Sequence, residues 1–334
     1  MTRLLLVSTA FHGYWRSIAA ALERRGYEVV PHLYDDYAST RAKVRNKVRY
    51  ELPERLGRDG RLRMAQDIGQ ALRGRLLDVR PDITLVVKGD VFTTETWDDI
   101  GRLSGCHALW LYDEVRRTRY DDARLQMAGR IATYSRQDWL AMAAPGRQVI
   151  HLPNAFDPAH LPVTGSALPL VSFVGARYPN RQQALEHLHE AGVPVRAVGR
   201  EWSHHPFDRL RTWSLSRPSL PAARDVPLSS AYELMHCSAA TLNPHFDQDG
   251  FTMRTFEAPG VGGLQLIDRA DVDEFYEPGS EVAVYGDLDE LTDLARRALV
   301  DTSWAQGIRE AGQRRTLAEH TFDHRMAVLE QLWA

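Results

Sequence analysis

Short apolar runs alternate with helical stretches along this chain, and glycines or polar loops separate them. The run Leu4–Val7 is followed by a loop and then by an amphipathic helical pattern from Tyr14 to Arg25. Gly26 ends that pattern, and a second apolar run covers Tyr27–Leu33. Apolar runs of this length, bounded by loop residues, are typical of buried strands. The order of strand, loop, helix, glycine and strand therefore predicts a doubly wound α/β fold.

The same rhythm restarts in the second half of the chain. A chain of 334 residues is long for a single core, which also favours two domains. The predicted strands form two series, Leu4–Val7, Tyr27–Leu33, Ile83–Val87, Ala108–Leu111, Ile131–Tyr134 and Val149–Leu152, then Leu170–Val174, Val193–Val198, Ala239–Leu242, Leu264–Ile267 and Val282–Tyr285. We predict a first domain over 1–157, a Pro-, Gly- and Ser-rich linker over 158–168, a second domain over 169–318 and a final helical segment over 319–334.

Composition and charge exclude several classes of protein. The net charge of −3 gives no electrostatic reason to expect a nucleic-acid partner. Cys106 and Cys237 are too few and too isolated for a disulfide framework, which fits a reducing compartment. The N-terminus has no long hydrophobic region of a signal peptide, and no stretch of about 18 apolar residues is present to span a membrane. We therefore expect a cytoplasmic protein.

The stretch 242–268 carries the strongest functional pattern. A predicted strand ends at Asn243, and a loop then leads into a short helix predicted over Met253–Ala258. Pro259 is expected to end that helix before the next strand begins. A strand, a Gly-containing loop and a helix N-terminus form an arrangement that favours anions, because unbonded backbone N–H groups and the helix dipole both attract negative charge.

Two carboxylates, Asp249 and Glu257, frame that loop and suit hydrogen bonding to sugar hydroxyls. The run resembles the E-G-F-G-x-x-x-x-E signature of retaining GT-B nucleotide-sugar glycosyltransferases, with Asp249 where the first Glu usually stands. Arg254 and the sequence FEAPGVGGLQLID make it more similar still to the spore-maturation-type (CgeB-like) subgroup. The Asp side chain is one methylene shorter than that of Glu, so Asp249 must reach the donor sugar with this shorter side chain. The alternative is an ordinary βαβ crossover with an acidic helix start.

The resemblance implies a fold and an activity. It implies two Rossmann-like doubly wound domains facing across a cleft, with the last helix crossing back onto the first domain. The activity implied is transfer of a sugar, with retention at the anomeric carbon, from a UDP-, GDP- or dTDP-linked donor to a small-molecule or glycan acceptor. Backbone N–H groups and arginines would stabilise the diphosphate without a metal or other cofactor. In this reading Glu257 binds the ribose, Asp249 binds the donor sugar, and the phosphate-side residues are Gly250, Phe251, Thr252, Met253 and Arg254.

A second donor-side loop follows the first strand of the second domain. It begins at Gly175, and it is similar to the F-V-G-x-x-Y-x-x-R element of the same subgroup. Gly175 lets the backbone approach a ligand closely, and Arg177 and Arg181 are suited to a diphosphate. The alternative is that these are surface arginines at the start of a helix. The turn with Asn154 and Asp157 also resembles the interdomain crossing of GT-B enzymes.

Candidate acceptor-side residues lie at predicted strand ends of the first domain. Ligands of such sheets bind at the carboxyl ends of the strands. His12 and Gly13 follow the first strand, Lys88 follows the third, and Asp113 and Glu114 follow the fourth. With Asp249, we name Asp113 and His12 as candidate catalytic residues. The alternatives are an ordinary loop histidine and, for Asp113, a cap of the next helix.

Several other patterns give weaker signals. Asp271-Val-Asp273 and Asp287-Leu-Asp289 match a D-x-D metal motif, but the pattern is common by chance, and we predict no metal site. His204 and His205 have no third ligand at useful spacing for zinc. The charged segment 38–61 is predicted to be a solvated helical excursion or an acceptor-binding flap, and 200–228 shows no regular pattern.

Two other functions fit the same architecture, because a fold does not determine a function. A nucleotide-sugar epimerase would need acids and histidines grouped near the sugar, and no such group occurs at the predicted strand ends. A non-catalytic binding relative would be expected to lose the framing carboxylates or the loop arginines, and this chain keeps both. A metal-independent glycosyltransferase is therefore the prediction. The oligomeric state is not predicted.

Overall fold

The computed structural model describes residues 1–35, 49–50, 59–144, 146–213 and 216–334. Most of the charged segment 38–61, for which a helical excursion was predicted, lies outside these residues. The chain divides into two compact units: Met1–Pro153 with Phe322–Ala334, and Asn154–Thr321. Among the described residues, no helix combines the length and the apolar character needed to cross a bilayer.

The strands described in the first unit form one parallel sheet of six, in the order β2-β1-β3-β4-β5-β6. These strands are β1 Arg3–Ser8, β2 Glu28–Leu33, β3 Ile83–Val87, β4 Cys106–Leu111, β5 Arg130–Thr133 and β6 Gln148–His151. The helices between them are α1 Tyr14–Arg24, α2 Gly60–Val79, α3 Thr94–Leu103, α4 Asp122–Ala128 and α5 Arg136–Met142. The predicted strands of this half are all present, with ends shifted by at most two residues.

Burial on both faces of the first sheet explains its continuous apolar runs. All five residues of β3 are buried, as are five of the six residues of β1. Parallel sheets covered by helices on both sides require this pattern rather than an alternating one. Helix α1 buries Ile18 and Leu22 through its amphipathic face.

The strands described in the second unit form a parallel sheet of six in the order β12-β11-β10-β7-β8-β9. They are β7 Leu168–Val174, β8 Val195–Val198, β9 Ala222–Ala223, β10 Ser238–Asn243, β11 Gln265–Ile267 and β12 Ala283–Val284. The helices of this unit are α6 Pro179–Glu190, α7 Pro206–Thr212, α8 Leu228–Cys237, α9 Met253–Gly260, α10 Leu288–Val300 and α11 Thr302–Glu319. The expected α/β fold with two Rossmann-like units is therefore confirmed.

Helix α9 continues through Pro259, where the sequence predicted its end. Proline lacks the N–H that would bond to the Thr255 carbonyl one turn earlier. The side-chain amide of Gln265 donates to that carbonyl at 3.4 Å instead. A partner from the next strand thus compensates for the missing bond, and the helix runs to Gly260.

The segment 200–228 is more regular than its sequence indicated. It contains helix α7 and the edge strand β9. His205 caps α7, because its imidazole accepts a hydrogen bond from the Phe207 N–H at 3.2 Å. The first His of the pair approaches Arg209 rather than a metal-ligand partner.

The last helix, α12, covers Phe322–Leu329 and belongs to the first unit. The Phe322 ring lies 6.5 Å from the Trp110 ring, and the Trp333 indole donates to the Tyr27 hydroxyl at 3.0 Å. The apolar stripe of this segment is buried, namely Phe322, Met326, Leu329 and Leu332. The residues predicted as a linker, 158–168, lie within the second unit and include a short 3-10 turn, Pro158–His160.

Candidate functional site

The second sheet changes direction between β7 and β10. From β7 the chain adds β8 and β9 toward one edge, and then adds β10, β11 and β12 toward the other edge. β7 and β10 are neighbouring parallel strands, so the loops after them leave the sheet side by side. In open α/β sheets ligands bind outside the carboxyl ends of the strands at such a point of reversal. The two predicted donor loops, which begin at Gly175 and Pro244, flank this point.

Side chains from the start of α6 join the two loops directly. The Arg181 guanidinium donates to the carbonyls of Pro244, at 3.0 Å, and of Ala176, at 3.2 Å. The Asn180 amide donates to the carbonyl of His245. Arg181 is buried and also lies 4.7 Å from the ring centre of Tyr178. Arg181 thus uses two of its N–H donors to hold the loops together. The sequence did not predict this role.

Arg177 lies on the same loop and is more exposed than Arg181. Its guanidinium donates to the Ser216 carbonyl at 3.1 Å, and its backbone N–H donates to the Glu201 carboxylate at 2.7 Å. Arg177 lines a cavity of about 360 Å³ together with residues at the start of α6, namely Tyr178, Pro179, Gln182, Gln183 and Glu186. At Gly175 an added Cβ would lie 3.1 Å from the Phe173 ring. The loop is therefore packed closely against Phe173 at Gly175, whereas at Arg177 it borders the cavity.

The N-terminus of α9 is the second part of the site. Its N-cap residue, Thr252, makes no side-chain capping hydrogen bond, and the first turn carries no acidic residue. Phe251 and Gly250 before it are buried. A helix start of this kind directs backbone N–H groups and the positive end of the helix dipole toward an anion. The first turn of α9 therefore begins at Thr252 without a side-chain cap and without an acidic side chain that would compete with an anion.

Arg269 shapes the loop that leads into α9. Its guanidinium lies 4.0 Å from the Phe251 ring centre and donates to the carbonyls of Gln248, at 3.0 Å, and Asp249, at 2.7 Å. It also pairs with Asp271, and this hydrogen bond holds the pKa of the Asp271 carboxyl below its usual value. The first D-x-D motif thus has one carboxylate committed to a loop-forming arginine. Sequence reasoning missed Arg269, although its place just after a strand was a usable signal.

In the second D-x-D motif, Asp287 caps helix α10. Its carboxylate accepts from the backbone N–H groups of Asp289, at 3.0 Å, and Glu290, at 2.9 Å. The described residues contain no group of three or more His, Cys, Asp or Glu side chains that could hold a metal ion.

Glu257 has no exposed surface, and both of its carboxylate oxygens accept hydrogen bonds. The Tyr232 hydroxyl donates to one oxygen at 2.7 Å, and the Arg254 guanidinium donates to the other. A buried carboxylate needs such partners because desolvation of an unpaired charge is costly. A ribose hydroxyl would have to share Glu257 with these groups. The spacing of Arg254 and Glu257 on a helix predicts their pairing, whereas Tyr232 on α8 gave no sequence signal.

A buried polar network supports the loop after β10. The His245 backbone N–H donates to both oxygens of Asp268, at 2.9 and 3.0 Å, and its imidazole lies 3.3 Å from the same carboxylate. The Asn243 amide donates to Thr255, at 3.2 Å, and to Gln265, at 2.9 Å. Because these bonds join β10, β11 and α9, they fix the start of α9 relative to the strand ends.

The first unit has its own point of reversal, between β1 and β3. His12 and Gly13 follow β1, and Lys88 follows β3. His12 and Lys88 have positive φ values, 48° and 70°, which are uncommon outside glycine. Such strain is concentrated at functional sites, so this edge of the first sheet is a second candidate site.

Lys88 and Asp113 form an ion pair at this edge. The ammonium donates to the Asp113 carboxylate at 2.7 Å, and the Tyr120 hydroxyl donates to the Lys88 carbonyl at 2.6 Å. Burial lowers the pKa of Lys88, but the hydrogen bond to Asp113 and the nearby carboxylates outweigh it, so the pKa is raised. Asp113 is therefore bonded to Lys88, and Glu114 occupies the N-cap position of the next 3-10 turn.

Glu114 is buried and pairs with two arginines of the turn that follows it, Arg116 and Arg117. This arrangement favours a role in shaping the loop over direct contact with a ligand.

Comparisons with known proteins agree with this architecture. Residues 180–331 match the model of the glycosyl transferase-like family. No curated protein sequence matches the chain. Among solved structures, HepE of Anabaena in complex with UDP and glucose is 14% identical, with a TM-score of 0.64, and 99% of each chain is covered. A sucrose-phosphate synthase of Thermosynechococcus elongatus is 12% identical, with a TM-score of 0.60 and coverage of 100% of this chain and 98% of that one.

AviGT4, a glycosyltransferase involved in avilamycin A biosynthesis, is 14% identical, with a TM-score of 0.61 and coverage of 99% of this chain and 97% of that one. At these identities the likeness establishes the fold. The two Rossmann-like units match GT-B glycosyltransferase structures.

Proposed function

We propose that this protein is a glycosyltransferase that takes a sugar from a nucleoside-diphosphate donor bound at the second unit. One observation carries the proposal. The point of reversal between β7 and β10 holds together an uncapped helix N-terminus, Arg177 and the ion pair of half-buried Arg254 with buried Glu257. Each of these features provides positive charge or hydrogen-bond donors where the fold binds its ligand.

The comparisons support the same function. The stretch that matches the glycosyl transferase-like family, 180–331, includes α6, β10 and α9. HepE was solved with UDP and with UDP-glucose, and AviGT4 is described as a glycosyltransferase. The finer assignment to the spore-maturation-type subgroup is part of this proposal and rests on Arg254 and the FEAPG segment.

The donor would be held by distinct parts of the site. Backbone N–H groups from Gly250 to Met253 would bind the diphosphate, and Arg177 and Arg254 would balance its charge. Gly175 allows the backbone to approach the phosphates. Glu257 would accept from the ribose hydroxyls while it holds Arg254 in place, and Asp249 would accept from the donor sugar, which we take to be a hexose.

Transfer would proceed without a metal. The bond between the anomeric carbon and the diphosphate oxygen breaks, and the acceptor oxygen attacks the same face of that carbon. Because the leaving group departs from that same face, the configuration is retained, and the acceptor proton passes to the departing diphosphate oxygen. Arginines and the α9 N-terminus would stabilise the leaving group, as preorganised donors do where charge develops. The two aspartates that begin the D-x-D motifs are already bonded to Arg269 and to the α10 backbone.

The acceptor is assigned to the first unit. His12, Gly13, Lys88 and Asp113 lie at the carboxyl ends of β1, β3 and β4, where the backbone is strained at His12 and Lys88. Asp113 is the candidate to bind and orient the attacking hydroxyl, whose proton passes to the diphosphate oxygen, and Lys88 holds the Asp113 carboxylate in place. Glu114 is proposed to position this loop through its arginine pairs.

Thermal unfolding in the presence of UDP, GDP, dTDP and their glucose conjugates, with EDTA and with Mg²⁺, tests the proposal. A nucleotide at about one hundred times its Kd stabilises the folded protein by about 2.7 kcal/mol, which raises Tm by a few degrees. We expect one nucleotide class to raise Tm equally with EDTA and with Mg²⁺. If no nucleotide raises Tm, the donor site is wrong. If only the Mg²⁺ samples respond, the metal-free assignment is wrong.

A further inference from the structure

Helix α7 faces outward with its apolar side. Phe207 and Leu210, three residues apart on the helix, are 58% and 65% exposed, and Trp213, the C-cap residue with a left-handed backbone, is 75% exposed. Asp208, on the same helix, is buried and accepts two hydrogen bonds from the Arg224 guanidinium, at 2.8 and 3.1 Å. The polar residue is thus inside and the apolar residues are outside, opposite to the usual pattern of a surface helix.

This orientation is fixed by several bonds. Besides the Asp208–Arg224 pair, the Thr212 hydroxyl donates to the Asp208 carbonyl at 2.8 Å, and Arg217 donates to the Thr212 hydroxyl at 2.7 Å. His205 caps the helix. The outward face is therefore built into the second unit, and the three apolar side chains stay in contact with water at an energetic cost.

The charge around this face is positive. From His204 to Trp213 the sequence carries Arg209 and Arg211, and its single acid, Asp208, is neutralised by Arg224. Arg217 lies nearby, and burial together with the positive charges of Arg177 and Arg209 lowers its pKa, while the carboxylates of Glu201 and Asp208 partly oppose this. Several arginines therefore lie close together, and an anionic surface would offset their mutual repulsion.

We propose that the outward face of α7, formed by Phe207, Leu210 and Trp213 with Arg209 and Arg211, docks on an anionic phospholipid bilayer. Aromatic and aliphatic side chains with neighbouring arginines are the composition that binds the interfacial region of a membrane. Arginines near such a surface are attracted to its negative potential.

A bilayer fits this face better than a protein partner does. A stable protein interface covers about 800 Å² on each partner and involves roughly 20–30 residues. Two apolar side chains on a seven-residue helix and one at its C-cap are far fewer than that. A lipid surface needs no complementary shape, and its binding strength follows from the apolar area inserted and the charge attracted.

Co-sedimentation of the full chain with vesicles tests the proposal. The vesicles are phosphatidylcholine alone and phosphatidylcholine mixed with phosphatidylglycerol, each at low and at high salt. We expect binding to the anionic vesicles, weakened by salt because exposed charges are screened. The double variant Phe207→Ser/Trp213→Ser should lower the partition coefficient by roughly tenfold or more, since each buried large apolar side chain contributes that much.

Val300→Ser is the matched control, because Val300, at the end of α10 in the same unit, is 79% exposed. It should bind vesicles as the wild type does. Arg211→Glu should weaken binding to anionic vesicles and reduce its dependence on salt. Circular dichroism and thermal unfolding of each variant establish that it is folded.

Three results would overturn the proposal. The wild type could fail to sediment with anionic vesicles at low salt. The double variant could bind as tightly as the wild type does. Alternatively, the wild type could form a dimer by size-exclusion chromatography that the double variant abolishes, without vesicle binding. This last result would make the face a contact between two copies of the chain.

Discussion

The Tyr232 hydroxyl donates a 2.7 Å hydrogen bond to the carboxylate of Glu257, a residue with no exposed surface. The other carboxylate oxygen accepts from Arg254, whose side chain is 22% exposed. We therefore assign two functions to the buried carboxylate of Glu257. It fixes the arginine at the start of α9, and we propose that it also binds the ribose of the donor.

The substitution of Glu257 by glutamine tests both functions. Glu257→Gln keeps the shape and one acceptor oxygen but removes the charge that holds Arg254. We expect nucleotide affinity, measured by calorimetry, to fall by about tenfold, equivalent to about 1.4 kcal/mol.

Tyr232→Phe is the control for this prediction. It removes one hydrogen bond and should lower the free energy of unfolding by about 1 kcal/mol. It should leave nucleotide affinity near that of the wild type, because Glu257 keeps its charge and Arg254. Unchanged affinity in Glu257→Gln would contradict the donor role of Glu257.

Two glycines of α11 should respond in opposite directions to the same change. A Cβ at Gly312 would lie 2.5 Å from the Glu281 carbonyl oxygen, whereas a Cβ at Gly307 meets nothing within 4 Å. Gly312→Ala should destabilise the protein by roughly 1–3 kcal/mol because the backbone must move. Gly307→Ala should stabilise it by roughly 0.5–1 kcal/mol because alanine favours a helix. Urea unfolding measures both, and stabilisation by Gly312→Ala would show that α11 is not held closely against the Glu281 backbone.

Arg309 should be among the residues on which the second unit most depends. Its guanidinium donates to the carbonyls of four residues: His236, Gly262, Ser238 and Ala239. Burial lowers its pKa, although the neighbouring Cys237 partly opposes this. Arg309→Met leaves these carbonyls without their donor and should cost roughly 2–4 kcal/mol.

Arg314→Met is the matched control for Arg309, because Arg314 lies on the same helix with its side chain 72% exposed. Its effect should be within about 0.5 kcal/mol. If the two variants unfold at the same urea concentration, Arg309 does not have the structural role assigned to it.

The stability of α7 should depend on pH in the acid range. The hydrogen bond from Arg224 lowers the pKa of Asp208 in the folded state. An acid whose folded pKa is lowered stabilises the fold above its unfolded pKa, about 3.9, and loses that contribution as pH falls through the folded value. The wild type should therefore be more stable than Asp208→Asn near neutral pH, and the difference should shrink below about pH 4.

Urea unfolding at several pH values, followed by tryptophan fluorescence, checks this prediction. Asp225→Asn is the control, since Asp225 forms an exposed pair with Arg200 and should change stability little. A difference between wild type and Asp208→Asn that is constant across this range would mean that the Arg224 pair does not stabilise the fold through charge.

The sequence predicted the positions of the strands well, because apolar runs and glycines mark them locally. The predicted strand Ile83–Val87 coincides with β3. Helix α7 was missed for a physical reason. It covers only seven residues, too few for a helical period to show in the sequence, and Pro206 after two histidines is typical of a loop.

The candidate site was predicted only in part. Residues at strand ends, such as Gly175 and Lys88, follow from the fold itself, because ligands bind at that edge of the sheet. Partners that come from distant parts of the chain could not be predicted. Tyr232 reaches Glu257 from α8, and Arg269 reaches the Asp249 loop from beyond β11. The roles of His12, Asp113 and Asp249 in catalysis stay predictions.

Release of nucleoside diphosphate from the sugar conjugate that stabilises the protein tests the central claim most directly. Water serves as a slow acceptor when no sugar acceptor is supplied, and the assay is run in EDTA. We expect release of the diphosphate in the wild type and its loss in Asp249→Asn, which keeps the nucleotide-binding residues. Conversion of the sugar without release would indicate an epimerase. Tight nucleotide binding with no turnover, even when candidate acceptors are added, would contradict the transferase assignment and favour a binding protein.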